Sequence, residues 1–178
     1  PFLMTDMRQA VERVIQALEQ KEAITVFCDY DVDGVTSAAF LTHFFRDLNC
    51  PVEAYLPERQ SEGYGLNSDA VRKIRERGAG LMITADCGIT GVKEVALANE
   101  IGLDVIITDH HQVGEEGLPP AIAVLNPHRS DCEYPYRFLC GVGLAFKLAI
   151  AVRNGLYSAS WPKERLPNLK RHLDLFAL

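Results

Sequence analysis

The chain has 178 residues, of which 48% are hydrophobic and 24% are charged, and its formal net charge is −6. These proportions are typical of a globular protein with one well-buried core, and they exclude a disordered tail, a collagen-like repeat and a small disulfide scaffold. The negative charge excludes a protein that holds nucleic acid by broad positive charge alone. A polyanionic substrate would need local basic groups or bound metal cations.

Five cysteines are present, an odd number without a C-x-x-C pair. This pattern argues against a disulfide framework or a structural zinc site and favours a reducing, cytoplasmic location. The longest apolar tract, Gly141 to Val152, is too short to cross a bilayer, so we expect no membrane association. The segment from Pro1 to Met4 is not a secretion signal, and both ends resemble cuts made in a longer chain.

Strand-like and helix-like segments alternate along the sequence. Thr5 stands in front of the first helical pattern as an N-cap candidate. In chain order, the predicted elements are a helix over 7–18, a strand over 23–28, a helix over 34–48, a strand over 52–56, a helix capped by Asn67 that runs through Arg77, a strand over 81–85, a helix over 90–100, strands over 105–108 and 121–125, and a helix over 142–152. This order predicts an α/β fold with a Rossmann-like parallel β-sheet sandwiched by helices. We expect a domain core over residues 1–151 and a helical tail of the same domain over 152–178.

Acidic and histidine side chains follow three of the predicted strands. They are Asp29, Asp31 and Asp33 after the first strand, Asp86 after the third, and Asp109, His110 and His111 after the fourth. Ligands of open parallel sheets bind beyond the carboxyl ends of the strands, which meet at one edge. So many carboxylates would repel one another without a counter-charge, and carboxylates with imidazoles suit Mn²⁺, Mg²⁺ or Fe²⁺. We therefore expect a two-metal centre with Asp86 as the bridge, and hydrolysis of a phosphoester as the reaction.

Each of these groups alone has a simpler interpretation. The aspartates beside Gly34 can form a solvated turn, and Asp86 can cap a helix. A pair of histidines can lie in the core or on the surface. Their joint placement at three successive strand ends is what favours the metal centre.

Three strings of residues carry a resemblance to a known superfamily. Residues 28–37 read CDYDVDGVTS, residues 84–89 read TADCGI and residues 108–111 read TDHH. They resemble the first three motifs of the DHH phosphoesterase superfamily, and the resemblance is strongest to the RecJ-type single-strand-specific 5′ exonucleases. The segments 1–7, 57–66, 125–127 and 141–148 resemble further parts of that family.

The resemblance implies a metal-dependent exonuclease that degrades single-stranded DNA from its 5′ end in DNA repair and recombination, with two Mn²⁺ or Mg²⁺ ions. The implied metal ligands are Asp31 and Asp86 for one ion and Asp33, Asp86 and His110 for the other, with Asp29 close to the first. The implied catalytic residues are Asp86, His110 and His111. His111 would lie near the scissile phosphate, and Asp109 would orient its neighbours. Relatives carry a fourth metal-binding Asp beyond a segment like 173–178, so we expect a catalytic-domain fragment that is inactive alone.

Substrate contacts are expected from loops at the same edge. The candidate phosphate clamps are Arg59, Arg129 and Arg137, and the candidate stacking faces for unpaired bases are Tyr64, Tyr134 and Tyr136. Asn126 and the turn formed by Gly141 and Gly143 complete the candidate substrate-binding set. The expected partners of a monomeric enzyme are single-stranded DNA, a helicase and a single-strand-binding protein.

Four alternatives remain open at this point. A haloacid-dehalogenase-type phosphatase would use Asp31 as nucleophile, but the chain lacks the later acidic pair of that family. A receiver-like binding module has no place for two adjacent histidines. A family II pyrophosphatase carries a histidine at the position of Phe27. Phosphodiesterases of oligonucleotides or cyclic dinucleotides share the DHH signature.

Overall fold

The structure, a computed structural model, describes residues 1–57 and 65–177. Five helices and five strands occur in these ranges, followed by two 3₁₀ segments. They are α1 Met7–Gln20, β1 Ala23–Cys28, α2 Val32–Asp47, β2 Val52–Tyr55, α3 Ser68–Glu76, β3 Ala79–Ala85, α4 Val92–Glu100, β4 Asp104–Thr108, β5 Ala123–Leu125 and α5 Gly141–Ser158, with 3₁₀ turns over Lys163–Arg165 and Leu169–Phe176. The predicted helix cap is also confirmed, because the Asn67 side chain accepts a hydrogen bond from the Ala70 amide at 2.8 Å.

The strands form one parallel sheet in the order β2-β1-β3-β4-β5. Central strands are apolar on both faces because helices cover both. In β1, Ile24 and Val26 point to the side packed by α1, α2 and α5, whereas Phe27 points to the side packed by α3 and α4. Both layers are buried, so the α/β fold with a sheet between helices is confirmed.

The start of α1 differs from the prediction. Thr5 does not cap the helix, because its hydroxyl donates to the Asp131 carbonyl at 2.9 Å. Asp6 occupies the cap position with a φ of 63° and makes no side-chain cap hydrogen bond. Its carboxylate instead accepts from the Val124 amide at 3.1 Å and from the guanidinium of Arg129. Long-range contacts have taken both side chains that could have capped α1.

Helix α5 is longer than its apolar pattern predicted and ends at Ser158. The expected division after residue 151 therefore falls inside a continuous helix. Glycine at position 155 lets the last turns of α5 pack closely against α1, since a Cβ there would lie 2.7 Å from Cγ1 of Val11. In the tail, the ring of Phe176 packs edge-on against Phe40 and Phe146, with centroids 5.2 and 4.7 Å away. Among the helices in the described ranges, none is both long and apolar enough to cross a membrane.

Candidate metal centre

The turn between β1 and α2 brings two carboxylates to the edge of the sheet. Asp31 is the N-cap of α2, and its Oδ1 accepts from the Gly34 amide at 2.9 Å. Asp29 is buried, and its carboxylate accepts from the amide of the next residue at 2.7 Å. The turn is so tight that a Cβ at Gly34 would lie 2.5 Å from the Asp29 carbonyl oxygen. Glycine at position 34 thus places Asp29 and Asp31 side by side.

Asp86 follows β3 and is the most enclosed carboxylate of this edge, with 1% of its surface exposed. Its backbone has a φ of 63°, a left-handed conformation that is uncommon outside glycine. A Cβ at Gly141 would lie 2.6 Å from the Asp86 Cβ, so only glycine there admits this side chain. Nε2 of His110 lies 3.0 Å from Oδ1 of Asp86, yet this buried oxygen accepts no hydrogen bond of good geometry.

Burial shifts the ionisation of this pair. Removal from water raises the pKa of Asp86 to about 6, and the nearby His110 only partly offsets that rise. The close contact with Asp86 raises the pKa of His110 in turn. Asp86 thus resists ionisation, whereas the same contact favours a charged His110, so positive charge beside the Asp86 carboxylate is favourable.

Potential ligand atoms gather in two sets that share Asp86. One contains Asp29, Asp31 and Asp86, the other contains Asp86, His110 and His111, and within each set the atoms lie within 4.8 Å of one another. The expected bridging position of Asp86 therefore has a geometric basis.

Asp33 lies beside the second set and is tied to α5. Its Oδ2 is 3.8 Å from Nε2 of His110. Its two oxygens accept from the amides of Gly141 at 2.6 Å and Val142 at 2.8 Å. These are the first amides of α5, so the turn expected to present them to a phosphate already presents them to Asp33. At Gly143, the nearest neighbour of an added Cβ would be the Leu139 side chain at 3.3 Å.

Asp109 and Asn126 fix the histidine pair from behind. Oδ1 of Asp109 accepts from the His111 amide at 3.0 Å and lies 2.7 Å from its Nδ1, while Oδ2 accepts from the Ile89 amide at 2.9 Å. A carboxylate oxygen accepts, so Nδ1 of His111 is the donor in this contact and Nε2 takes no part in it. Buried Asn126 donates to the His111 carbonyl at 2.9 Å and accepts from the amide of His128 at 2.7 Å. Asn126, expected at the substrate, thus holds the loop that carries the histidines.

The structure places the candidate arginines and tyrosines in different environments. Arg59 and Tyr64 lie outside the described residues. Arg129 is buried, and its guanidinium donates to the carboxylates of Asp6 and Asp131 and to a backbone carbonyl of β5. Arg129 is therefore engaged inside the fold and not free to clamp a phosphate.

In the loop after Arg129, Tyr134 packs partly against the core, whereas Tyr136 and Arg137 are exposed. Sequence reasoning missed Phe138, which is 83% exposed next to them. It also missed Asp6, whose partners lie more than a hundred residues away. No local pattern could have revealed Asp6.

Comparison with known proteins places the domain in a family. Residues 23–178 match the DHH family, N-terminal domain. This chain belongs to the DHH family. The DHH domain is 49% identical over 152 residues to the single-stranded-DNA-specific exonuclease RecJ of Bacillus subtilis (strain 168), which covers 85% of this chain and 19% of that protein. It is 41% identical over 179 residues to RecJ of Escherichia coli (strain K12), which covers 98% of this chain and 31% of that protein.

Solved structures agree with the sequence comparison. A crystal structure of exonuclease RecJ bound to manganese superposes on the DHH domain with a TM-score of 0.84 and 33% identity, covering 98% of this chain and 42% of that one. RecJ of Thermus thermophilus in complex with Mn²⁺ superposes with a TM-score of 0.77 and 30% identity, covering 98% and 23%. The chain spans between about a fifth and a third of the curated relatives named above.

Proposed function

We propose that the protein hydrolyses phosphodiester bonds of single-stranded DNA from the 5′ end, in DNA repair and recombination, with two divalent cations, Mn²⁺ or Mg²⁺, at this centre. The observation that carries the proposal is the state of Asp86. Its Oδ1 is buried without a hydrogen bond of good geometry, and the residue belongs to both ligand sets. A buried carboxylate oxygen that accepts no well-aligned hydrogen bond is costly, and a bound cation removes that cost.

The donor set fits such cations. Carboxylate oxygens and imidazole nitrogens, without thiolates, suit Mn²⁺ and Mg²⁺. Asp29, Asp31 and Asp86 would hold one cation; Asp33, Asp86 and His110 would hold the other. When bound, a pair of such cations lowers the pKa of a coordinated water and neutralises charge on the phosphoryl group. Crystal structures of RecJ named for Mn²⁺ and Mg²⁺ support this choice.

The remaining residues position the substrate and the proton. Of the two histidines, His111 is the more accessible, with 44% of its side chain exposed against 31% for His110. Asp109 engages its Nδ1, so Nε2 is the ring nitrogen left to meet a phosphate oxygen. We therefore assign His111 to contact with the substrate and His110 to binding of the cation.

Three observations favour DNA hydrolysis over the alternatives. The curated relatives are named as single-stranded-DNA-specific exonucleases, which supports the same substrate here. At the position where a pyrophosphatase has a histidine, Phe27 is buried and stacks on Tyr55 with ring centroids 5.6 Å apart. This position supplies no metal ligand. Membership of the DHH family argues against the haloacid-dehalogenase and receiver-like alternatives.

We extend the proposal to the setting of the enzyme. All five cysteines are free thiols, which supports a reducing cytoplasm. An enzyme that needs unpaired strands would act as a monomer beside a helicase that produces them and a single-strand-binding protein that covers them.

Hydrolysis of 5′-labelled oligonucleotides by the protein at its natural length tests the proposal. We expect single strands to be degraded with Mn²⁺ or Mg²⁺, duplexes to resist, and Asp86→Ala to reduce the rate to background. The matched control is Glu100→Gln, which removes an exposed carboxylate at the end of α4, by the opposite edge of the sheet. Unchanged turnover in Asp86→Ala would overturn the two-metal assignment.

The second arm uses residues 1–178 alone. We expect weak metal binding and little nuclease activity from this chain, because it spans between about a fifth and a third of the curated relatives named above. Full specific activity would show that no further ligand is needed.

A further inference from the structure

Two aromatic side chains stand exposed in the segment that leads into α5. Phe138 is 83% exposed and Tyr136 is 55% exposed. Their rings meet edge to face, with centroids 5.9 Å apart and planes at 69°. Leaving a large apolar side chain in water forgoes about 2 kcal/mol of burial. An exposed pair of rings at a ligand-binding edge therefore indicates a ligand with apolar faces.

The pair stands on a fixed base next to the metal centre. Cys132 is buried before it, and Leu139 packs against the core after it. Gly141 comes next, with its amide on Asp33. Phe138 is three residues from Gly141, so their Cα atoms are at most about 11 Å apart. That distance corresponds to about three nucleotides of a stacked strand, which rises ~3.4 Å per nucleotide.

A positively charged residue lies between the two aromatic residues in the sequence. Arg137 is exposed, and within residues 1–57 and 65–177 no carboxylate forms an ion pair with it. The order aromatic, basic, aromatic offers two faces for bases and one guanidinium for the phosphate that links them. A single strand presents both features, whereas the base faces of a duplex are hidden in its stack.

We propose that Tyr136, Arg137 and Phe138 form a stacking platform, which binds unpaired bases within a few nucleotides of the metal centre. The proposal rests on the proposed function, because it takes DNA as the substrate, and it adds the site that distinguishes single strands from duplexes. The platform accepts any base sequence, since every base has a π face.

Binding of a single strand with 2-aminopurine near its 5′ end tests the platform, in the natural-length protein with Ca²⁺ to prevent cleavage. We expect Phe138→Ala to bind about tenfold more weakly and to lose quenching of the 2-aminopurine fluorescence. Phe138→Trp should bind like wild type, and Phe138→Leu should bind like Phe138→Ala, because leucine keeps the apolar area but not the π face. Arg137→Gln should lower the slope of log affinity against log salt by about one.

The matched control is Tyr157→Ala, which removes a ring that is 53% accessible, close to the exposure of Tyr136, near the other end of α5. It should leave binding unchanged. Binding by Phe138→Leu that equals wild type would overturn the platform and indicate a protein segment docked on the rings. A large drop in the melting temperature of Phe138→Ala would also overturn it, since an exposed ring contributes little to folding.

These results are separable from those that test the proposed function. If Asp86→Ala is inactive while Phe138→Ala binds DNA like wild type, only the platform fails. If Asp86→Ala still cleaves DNA, the metal-centre proposal fails whatever Phe138 does.

Discussion

Replacing Asp86 by asparagine should stabilise the protein without metal and remove its stabilisation by metal. Asparagine has the same shape without the charge, and it tolerates the φ of 63° at this position. Burial raises the pKa of Asp86 from 3.8 to about 6. Because one pKa unit corresponds to about 1.4 kcal/mol, the ionised carboxylate destabilises the metal-free fold by about 3 kcal/mol at neutral pH. Allowing for imperfect accommodation of the amide, we expect Asp86→Asn to gain about 1–3 kcal/mol, or roughly 3–8 °C in melting temperature.

The stability gained by Asp86→Asn should depend on pH. A carboxyl group with a raised pKa weakens the fold above its folded pKa, and the penalty vanishes below its ordinary value. The gain in Asp86→Asn should therefore be full at about pH 7.5 and fall to about half at about pH 5. Loss of the contact with His110, whose pKa that contact raises, reduces the gain further in acid.

Thermal unfolding of the 178-residue chain in EDTA and in millimolar Mn²⁺ is the assay. In EDTA the variant should have a higher melting temperature than wild type. In Mn²⁺ the melting temperature of wild type should rise, because the cation binds the folded state, and that of the variant should not. Glu100→Gln should follow wild type in both buffers. A variant that melts no higher in EDTA, or that gains as much from Mn²⁺, would refute the account of Asp86 as a strained ligand.

Three further substitutions test separate parts of the site. Gly141→Ala should destabilise the protein by about 1–3 kcal/mol and weaken Mn²⁺ binding, because the new Cβ would lie 2.6 Å from that of Asp86. At Gly143 only a leucine side chain must shift, so Gly143→Ala should change stability and Mn²⁺ binding by far less. Calorimetry measures both quantities. Arg129→Gln should lower the free energy of unfolding in urea by about 3 kcal/mol, because it leaves the carboxylate partners of a buried guanidinium without their ion pairs. It should leave the salt dependence of DNA binding as in wild type. A weaker salt dependence would instead support Arg129 as a residue that binds phosphate. Asp109→Asn should lower the rate of DNA hydrolysis about 10–100-fold with Mn²⁺ affinity retained, because the imidazole of His111 loses the carboxylate that orients it. Equal losses of Mn²⁺ affinity and rate would instead indicate that Asp109 is a metal ligand.

The sequence was sufficient for the sheet, and for bringing most of the candidate ligands to one edge of it, because both follow from local rules. Apolar runs such as residues 23–28 identify strands, and parallel strands bring their carboxyl ends together. Asp86 and His110 could therefore be placed near each other, although 24 residues of chain separate them. The resemblance to the DHH family then added roles that no periodicity supplies.

The contacts that the sequence did not reveal all depend on tertiary packing. Asp33 binds the first amides of α5, more than a hundred residues away, only because α5 packs against α2. Arg129 looks like a free loop arginine until the position of Asp6 is known. Thr5 fits the pattern of an N-cap, but its hydroxyl has a distant carbonyl partner. Side chains with several possible hydrogen-bond partners cannot be assigned from neighbours in sequence alone.

The bond between Asp33 and the start of α5 has a consequence for how substrate preference can diverge in this fold. Residues 133–138 lead into an anchor at the metal centre that uses two backbone amides and a glycine. Their side chains can change, or the loop can lengthen, without altering a single ligand atom. Under the proposed function, hydrolytic chemistry and substrate choice are separately mutable, and a graft of this segment between DHH proteins should transfer preference while keeping the cation requirement.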